Sequence, residues 1–290
     1  MKGLVPYTVN VGGRLLDLGE PQVMGILNVT PDSFYASSRT FDERAIAARA
    51  RQIADEGGTI IDVGAYSTRP GSSEVDEREE MTRLRRALSV VRSEVPDITV
   101  SIDTFRADVA RMCVEEFGAA IINDVSGGDG DKRMFATVAQ LCVPYILMHI
   151  AGTVDDMHSS APLTSQTDSS VPYMQGFMSF LTERIDRLHD LGQKDIIIDP
   201  GFGFGKSAEQ NWQLMAYLDS LKVWELPLLV GVSRKSMIYR LLDTDADGAL
   251  NGTAVCNTIA LLKGASILRV HDVKQAVEAV KIVKQTLSAL

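Results

Sequence analysis

Eight short apolar runs in this 290-residue sequence are each followed by side chains able to do chemistry: Asn28, Asp62, Asp103, Asn123, His149, Asp199, Ser233-Arg234-Lys235 and Arg269-Val270-His271. A single Asp or Asn after such a run is ordinarily a turn or a helix cap. Capping does not account for polar residues after all eight. Two chemical subsets stand out. Asp103, Asn123, Asp199 and Lys235, with Met148 nearby, would be costly to bury without partners. They suit a flat heterocycle with an alternating donor/acceptor edge, such as a 2-amino-4-oxopterin. A carboxylate accepts from a ring N–H and an exocyclic amine together, and a lysine donates to a ring oxygen or nitrogen. The second subset is Asn28, Thr68, Arg69, Arg269 and His271. Two guanidiniums, an imidazole, a hydroxyl and an amide oxygen are what a diphosphate bound with Mg2+ requires. One subset would grip a ring and the other a leaving group.

The runs that must position these groups are Val23–Val29, Thr59–Gly64, Ile98–Asp103, Ala120–Val125, Pro144–Ile150, Ile196–Pro200, Pro227–Ser233 and Ile267–His271. Each is too apolar for a sheet with one wet face and reads as a buried parallel strand. Helix-like segments such as Glu74–Val95, Arg106–Phe117, Val171–Leu191 and Gln210–Leu221 lie between them. Eight βα units in one chain favour a closed (β/α)8 TIM barrel over an open doubly wound sheet. In such a barrel the C-terminal strand ends converge on the face that holds the active site. Ahead of the first unit, Tyr7–Leu18 alternates around Gly12-Gly13 and reads as a hairpin that could plug the barrel bottom. Ala151–Ser170 is polar and aperiodic, a loop after the fifth strand. With no linker or repeat, residues 1–290 read as a single domain, residues 1–20 forming the hairpin.

Several tempting patterns fail. Gly201–Lys206 (GFGFGK) is followed by Ser207, but a phosphate-binding P-loop needs Gly where Pro200 stands. A dinucleotide-binding Gly pattern would need Gly where Lys206 stands. The four histidines, His149, His158, His189 and His271, form no zinc pattern. No Ser or Cys sits on a nucleophile elbow, which leaves covalent catalysis without a candidate. The excess of 38 Asp+Glu over 29 Lys+Arg, a net charge of −9, argues against nucleic acid or an anionic membrane as the main partner. Cys113, Cys142 and Cys256 are odd in number and far apart, as reduced thiols of a cytosolic protein would be. The N-terminal segment lacks the apolar run of a signal peptide, and no stretch of about 18 apolar residues occurs. A soluble cytoplasmic protein is expected.

Five motifs in order resemble one family. MGILNVTPDSF (Met24–Phe34), STRPG (Ser67–Gly71), IDPGFGFGK (Ile198–Lys206), SRKS (Ser233–Ser236) and RVHDV (Arg269–Val273) are similar to those of the dihydropteroate synthases, from about Pro21 to the end of the chain. The resemblance implies a (β/α)8 barrel, a homodimer, and displacement of pyrophosphate from 6-hydroxymethyl-7,8-dihydropterin pyrophosphate by the amine of p-aminobenzoate. It implies pterin contacts from Asp103, Asn123, Asp199 and Lys235, with Met148 packing nearby. Asn28 matches the Mg2+-associated asparagine, and Arg269 and His271 match the pyrophosphate anchors. Thr68, Arg69 and Pro70 lie in the loop near both substrates, and Phe204 and Ser233 match the p-aminobenzoate pocket. The departures are local: Tyr35-Ala36-Ser37-Ser38 stands where the family often has Ser-Asp-Gly-Gly, and Ala65-Tyr66 where Gly-Glu is common.

The reaction this implies places the burden on pyrophosphate departure, because an aniline nitrogen is a weak nucleophile. Arg269, His271 and Mg2+ would neutralise charge on the leaving oxygens. Lys235 would grip the ring, and Asp103 would favour a cation at the exocyclic methylene. The segments Thr30–Thr40 and Ser67–Ser73 have few apolar anchors, and are expected to be ordered by pyrophosphate before p-aminobenzoate binds. Two other readings stand beside this one. A pterin-binding methyltetrahydrofolate:corrinoid methyltransferase would share the ring pocket without needing Arg269, His271 or SRKS. A non-catalytic pterin binder would be expected to lack Arg269, His271 or Lys235, all of which are present.

Overall fold

The computed structural model describes residues 7–29, 39–66, 75–152 and 170–289, with the side chains of 39–42 and 170–172 excepted. The loops expected at 30–40, 67–73 and 151–170 lie largely outside the described residues, as do Thr68, Arg69 and Pro70.

Eight parallel strands close into a barrel in chain order: β3 (Gln22–Asn28), β4 (Ile60–Gly64), β5 (Thr99–Asp103), β6 (Ile121–Asp124), β7 (Tyr145–Met148), β8 (Ile196–Asp199), β9 (Leu228–Val230) and β10 (Ala265–Val270), with β10 pairing back onto β3. Each coincides with one of the eight apolar runs. The alternation expected of strands sorts each one into two faces. Ile61 and Val63, Val100 and Ile102, and Tyr145 and Leu147 turn outward into the apolar layer shared with the helices. Met24, Ile60, Ile121, Ile146, Ile197, Leu229 and Ile267 turn inward and fill the barrel floor.

A two-stranded antiparallel hairpin, β1 (Thr8–Val11) and β2 (Arg14–Asp17), covers that floor from below. Gly12 and Gly13 carry its turn at φ +62° and +85°, where a side chain would be strained. Val9, Val11 and Leu18 pack on the inward-facing floor residues. Asn10 N donates to Asp195 Oδ2 at 2.9 Å, and Arg14 Nη2 to Thr99 Oγ1 at 2.9 Å. The barrel bottom is therefore sealed with apolar side chains.

The surrounding helices are α1 (Arg39–Asp55), α2 (Glu77–Glu94), α3 (Ala107–Phe117), α4 (Met134–Leu141), α5 (Ser170–Asp190), α6 (Ala208–Ala216), α7 (Ser236–Leu241), α8 (Leu250–Leu262) and α9 (Val273–Ser288), with a 3-10 turn at Leu218–Trp224. Their ends are specified locally. Asp76 caps α2 by accepting from Glu79 N, Ser207 and Gln210 form a reciprocal capping box on α6, and Gly118 ends α3 at φ +62°. The apolar side of α9 packs on the barrel through Val273, Ala276, Ala279 and Val283.

Candidate active site

Above the apolar floor the inward positions turn polar. In β4 the inward residues are Ile60, Asp62 and Gly64, and in β5 they are Thr99, Ser101 and Asp103; Asp62 is level with Ser101, and Gly64 with Asp103. Gly64 makes room at the rim. A Cβ there would stand 3.3 Å from Asp103 Cβ and 3.5 Å from Asn28 Oδ1, so the missing side chain lets these two groups approach.

Arg269 of β10 reaches across this layer. Its Nε donates to Asp62 Oδ2 at 2.6 Å and its Nη2 to Asp103 Oδ2 at 2.6 Å, while Asn123 Nδ2 donates to the same Asp62 oxygen at 3.0 Å. The structure thus joins the two chemical subsets: Arg269, grouped with the diphosphate residues by its type, is hydrogen-bonded among the ring-side residues. Burial pushes Asp103 up to about 7, with Arg269 opposing and Asp62 adding to the rise. Burial alone would lower Arg269, but Asp62 and Asp103 hold it above its ordinary value. The guanidinium remains charged.

Asp199 ends β8 on the opposite side. Its Oδ1 accepts from Gly201 N at 2.7 Å, and burial raises its pKa against the pull of Lys235, Arg269 and Lys206. Lys235 Nζ donates to Phe202 O and lies 4.4 Å from the Phe204 ring centroid. Burial lowers Lys235 to about 8, with Asp199 opposing and Arg269 assisting. Met148 is buried with Phe105, Val125 and Ile150, and Tyr66 and Phe204 pack on the same cluster. An apolar wall therefore stands beside the charged edge.

The SRKS segment splits its side chains. Arg234 adopts φ +54°, uncommon for a residue with a Cβ, and turns away to pair with Asp272 at 2.8 and 2.9 Å. Its neighbours serve the mouth: Lys235 as above, and Ser233, whose Oγ lies 3.2 Å from His271 N and 3.2 Å from His271 Nδ1. Arg49 Nη2 donates to His271 O at 2.6 Å and holds this corner from behind.

Other polar groups at strand ends belong to the scaffold. His149 faces outward, its ring 4.6 Å from Phe177 and 4.7 Å from Phe180, and burial with the nearby Lys206 charge lowers it to about 2. The failed P-loop proves to be a stapled turn. Gly201, Gly203 and Gly205 take φ of +67°, +81° and +65°, and a Cβ at 201 or 205 would stand 2.0 Å from His149 O or 1.8 Å from Ala151 O. Only glycine allows this backbone-on-backbone approach. Lys206 Nζ then donates to the carbonyls of His149, Gly201 and Phe204 at 2.9, 2.7 and 3.2 Å. Asp62 and Lys206 are the residues to which sequence reading assigned no part. The signal for Asp62 is its place two residues above the inward Ile60; Lys206 ends the GFGFGK motif, but nothing there marks it as a staple.

The barrel and its mouth, with carboxylates and an amide around an apolar wall, define a pterin-binding enzyme. A family model described as pterin binding enzyme matches residues 24–271. The dihydropteroate synthase of Escherichia coli (strain K12) is 40% identical over 280 residues, 96% of this chain and 95% of that protein. The Yersinia pestis dihydropteroate synthase, solved with a sulfonamide drug complex, superposes with a TM-score of 0.87 at 38% identity, covering 98% of this chain and 100% of that one. The Xanthomonas albilineans dihydropteroate synthase with 4-aminobenzoic acid gives 0.87 at 35% identity, covering 99% and 100%. This chain belongs to the dihydropteroate synthase family of transferases.

Proposed function

We propose that the chain makes dihydropteroate by a Mg2+-assisted displacement of pyrophosphate from 6-hydroxymethyl-7,8-dihydropterin pyrophosphate by p-aminobenzoate. The observation that carries this reading is the ring of Asp62, Asp103, Asn123 and Arg269 facing Asp199 and Lys235 above a sealed apolar floor. Asp199, Asn123 and Lys235 would bind the ring edge, and Met148 would pack on its face. Asp103 would stand beside the positive charge that develops as the leaving group departs. His271, with Arg269, would neutralise the departing oxygens. Phe204 and Ser233 would hold p-aminobenzoate, as 4-aminobenzoic acid is held somewhere in the Xanthomonas protein. Thr68, Arg69 and Pro70 keep the roles expected from the sequence.

The residues present fit Mg2+. Among the described residues no group of three or more His, Cys, Asp and Glu side chains could hold a metal alone. Mg2+ usually binds one or two protein oxygens together with substrate phosphates and waters. Asn28 Oδ1, above the space left by Gly64, is an oxygen of that kind. Bound Mg2+ would supply electrostatic relief for the leaving group. An assay of pyrophosphate release and dihydropteroate formation from both substrates tests the reaction. EDTA-treated enzyme should lose activity and regain it with added Mg2+; full activity after EDTA would reject the metal.

A homodimer is part of this reading. The apolar surface that supports it lies on α8, where Val255, Ile259 and Leu262 are 52%, 37% and 54% exposed at helical spacing, with Leu241, Leu242 and Ile282 also exposed on the neighbouring α7 and α9 regions. Sedimentation should give twice the chain mass, and Ile259→Glu should give one. Placement in the cytoplasm accords with free Cys113, Cys142 and Cys256. Among the described residues no helix is long and apolar enough to cross a membrane.

A further inference from the structure

Asp62 is wholly buried one layer beneath the rim. Two residues with expected substrate contacts meet on a single oxygen of this carboxylate. Oδ2 accepts from Arg269 Nε at 2.6 Å and from Asn123 Nδ2 at 3.0 Å, whereas Oδ1 has no partner among the described residues. A buried carboxylate is retained at considerable cost unless it is paired, and this pairing spans three strands of the barrel.

Each contact determines something the partner could not determine alone. Arginine has a long side chain with about 2 kcal/mol of rotamer entropy and a planar fork that binds well only when its plane is set. Asp62 holds Nε and Asp103 holds Nη2, so two acceptors on different strands define that plane. Nη1 donates to none of the described residues and is left to a ligand. Asn123 presents a different problem, since its amide can face either way. A carboxylate has no hydrogen to donate, so only Nδ2 can face Asp62. Oδ1 of Asn123 must then point away from Asp62, and it is a buried acceptor with no partner among the described residues.

We propose that Asp62 is a positioning residue for pterin binding: it sets the guanidinium plane of Arg269 and the amide orientation of Asn123, without touching either substrate. This rests on the reading of the site given above. Asp62→Asn keeps an acceptor oxygen for both partners but removes the charge that holds the guanidinium and permits the Asn123 amide to turn. By calorimetry it should weaken pterin pyrophosphate binding tenfold or more, while the KM for p-aminobenzoate moves less than twofold. A general packing role would move both constants together.

The decisive comparison uses Arg269→Met and Asp62→Asn/Arg269→Met. If Asp62 acts through Arg269 and Asn123, adding Asp62→Asn to Arg269→Met should weaken pterin binding by less than Asp62→Asn does in the unaltered enzyme, the remainder being the part carried by Asn123. A loss in the double variant as large as that of Asp62→Asn alone, or no loss in Asp62→Asn alone, overturns the proposal. The comparison stands even if Asp62→Asn alone folds poorly, because the double variant leaves neither charge of the pair buried unpaired. If the unaltered enzyme binds no pterin pyrophosphate, the reading of the site falls and the proposal with it. A bound unaltered enzyme with additive losses rejects only the positioning role.

Discussion

Ser233 Oγ stands at 3.2 Å from both the backbone N and the ring Nδ1 of His271. The two residues follow neighbouring strands, β9 and β10, and are expected to serve different substrates: the serine p-aminobenzoate, the histidine pyrophosphate. One hydroxyl therefore contacts the imidazole that is expected to meet the leaving group. That hydroxyl bears on which nitrogen of the ring donates.

Ser233→Ala should then affect both substrates. The loss of one hydrogen bond is worth about 0.5–1.5 kcal/mol, or roughly a twofold to twelvefold change in a constant. Both the KM for p-aminobenzoate and the Kd for inorganic pyrophosphate should rise within that range. A change in the first constant alone would mean that His271 needs no help from Ser233.

Asp103 predicts a pH dependence. Burial raises it from 3.8 to about 7, against the attraction of Arg269. The folded protein holds this proton more tightly than the unfolded chain, so the stability it contributes is fully present below about pH 4. That stability is lost as the pH rises through about 7, with a slope of at most ~1.4 kcal/mol per pH unit. Asp103→Asn should flatten denaturant-derived stability over this window. Activity runs the opposite way, because the ionised form favours a cation, and kcat/KM should climb through the same range. Equal slopes of stability in the two proteins would reject the assignment.

Behind the site, Glu80 of α2 is 1% exposed, accepts from Thr104 Oγ1 at 2.7 Å and is paired with Arg106. Arg106 Nη2 also donates to Val75 O at 2.8 Å, tying down the chain as it enters α2. Burial pushes Glu80 up, and Thr104 and Arg106 oppose it. Arg106→Met should destabilise the fold by about 3–5 kcal/mol at neutral pH, the cost of leaving a buried charge without its partner. Since the carboxyl would escape by taking up a proton, the loss should be smaller at low pH. Glu80→Gln/Arg106→Met should recover most of it; a double variant as unstable as the single one would show that packing, not charge, dominates.

The barrel was legible because buried parallel strands are apolar on both faces, and each of the eight runs is such a strand. Elements without that contrast were not. α8 is Leu-Asn-Gly-Thr-Ala-Val-Cys-Asn-Thr-Ile-Ala-Leu-Leu, apolar on its buried and exposed sides alike, so no period singles it out. The apolar stripe of α9 suits an interface or the barrel equally in sequence, and packing on the barrel accounts for most of it. Candidate site residues at strand ends were legible from position, but their partners were not. Arg269 and Asp62 are 207 residues apart, and only barrel closure brings them together. His149 shows the opposite limit: one residue beyond the inward Met148, it faces α5 instead of the mouth.

Lys206 separates stability from function most sharply. Its ammonium is buried, and burial pulls its pKa well below 10.5 despite the attraction of Asp199. Three hydrogen bonds from a charged donor are worth about 1.5–3 kcal/mol each, while the penalty for burying the ion is several kcal/mol. These terms nearly offset, so Lys206→Met should change the unfolding free energy by no more than about 2 kcal/mol. Loop geometry should fare differently. Without the staple, Gly201–Phe204 loses its tie to His149 O, and the Phe204 ring and Phe202 carbonyl lose their fixed place against Lys235. The KM for p-aminobenzoate should rise about tenfold, equivalent to ~1.4 kcal/mol. Pterin pyrophosphate, expected to be held also by Asp103, Asn123, Asp199 and Arg269, should bind within about threefold of its original affinity, under ~0.7 kcal/mol. Steady-state kinetics and a denaturation curve on the same variant decide the matter: a large stability loss with unchanged p-aminobenzoate KM would make Lys206 a fold residue and nothing more.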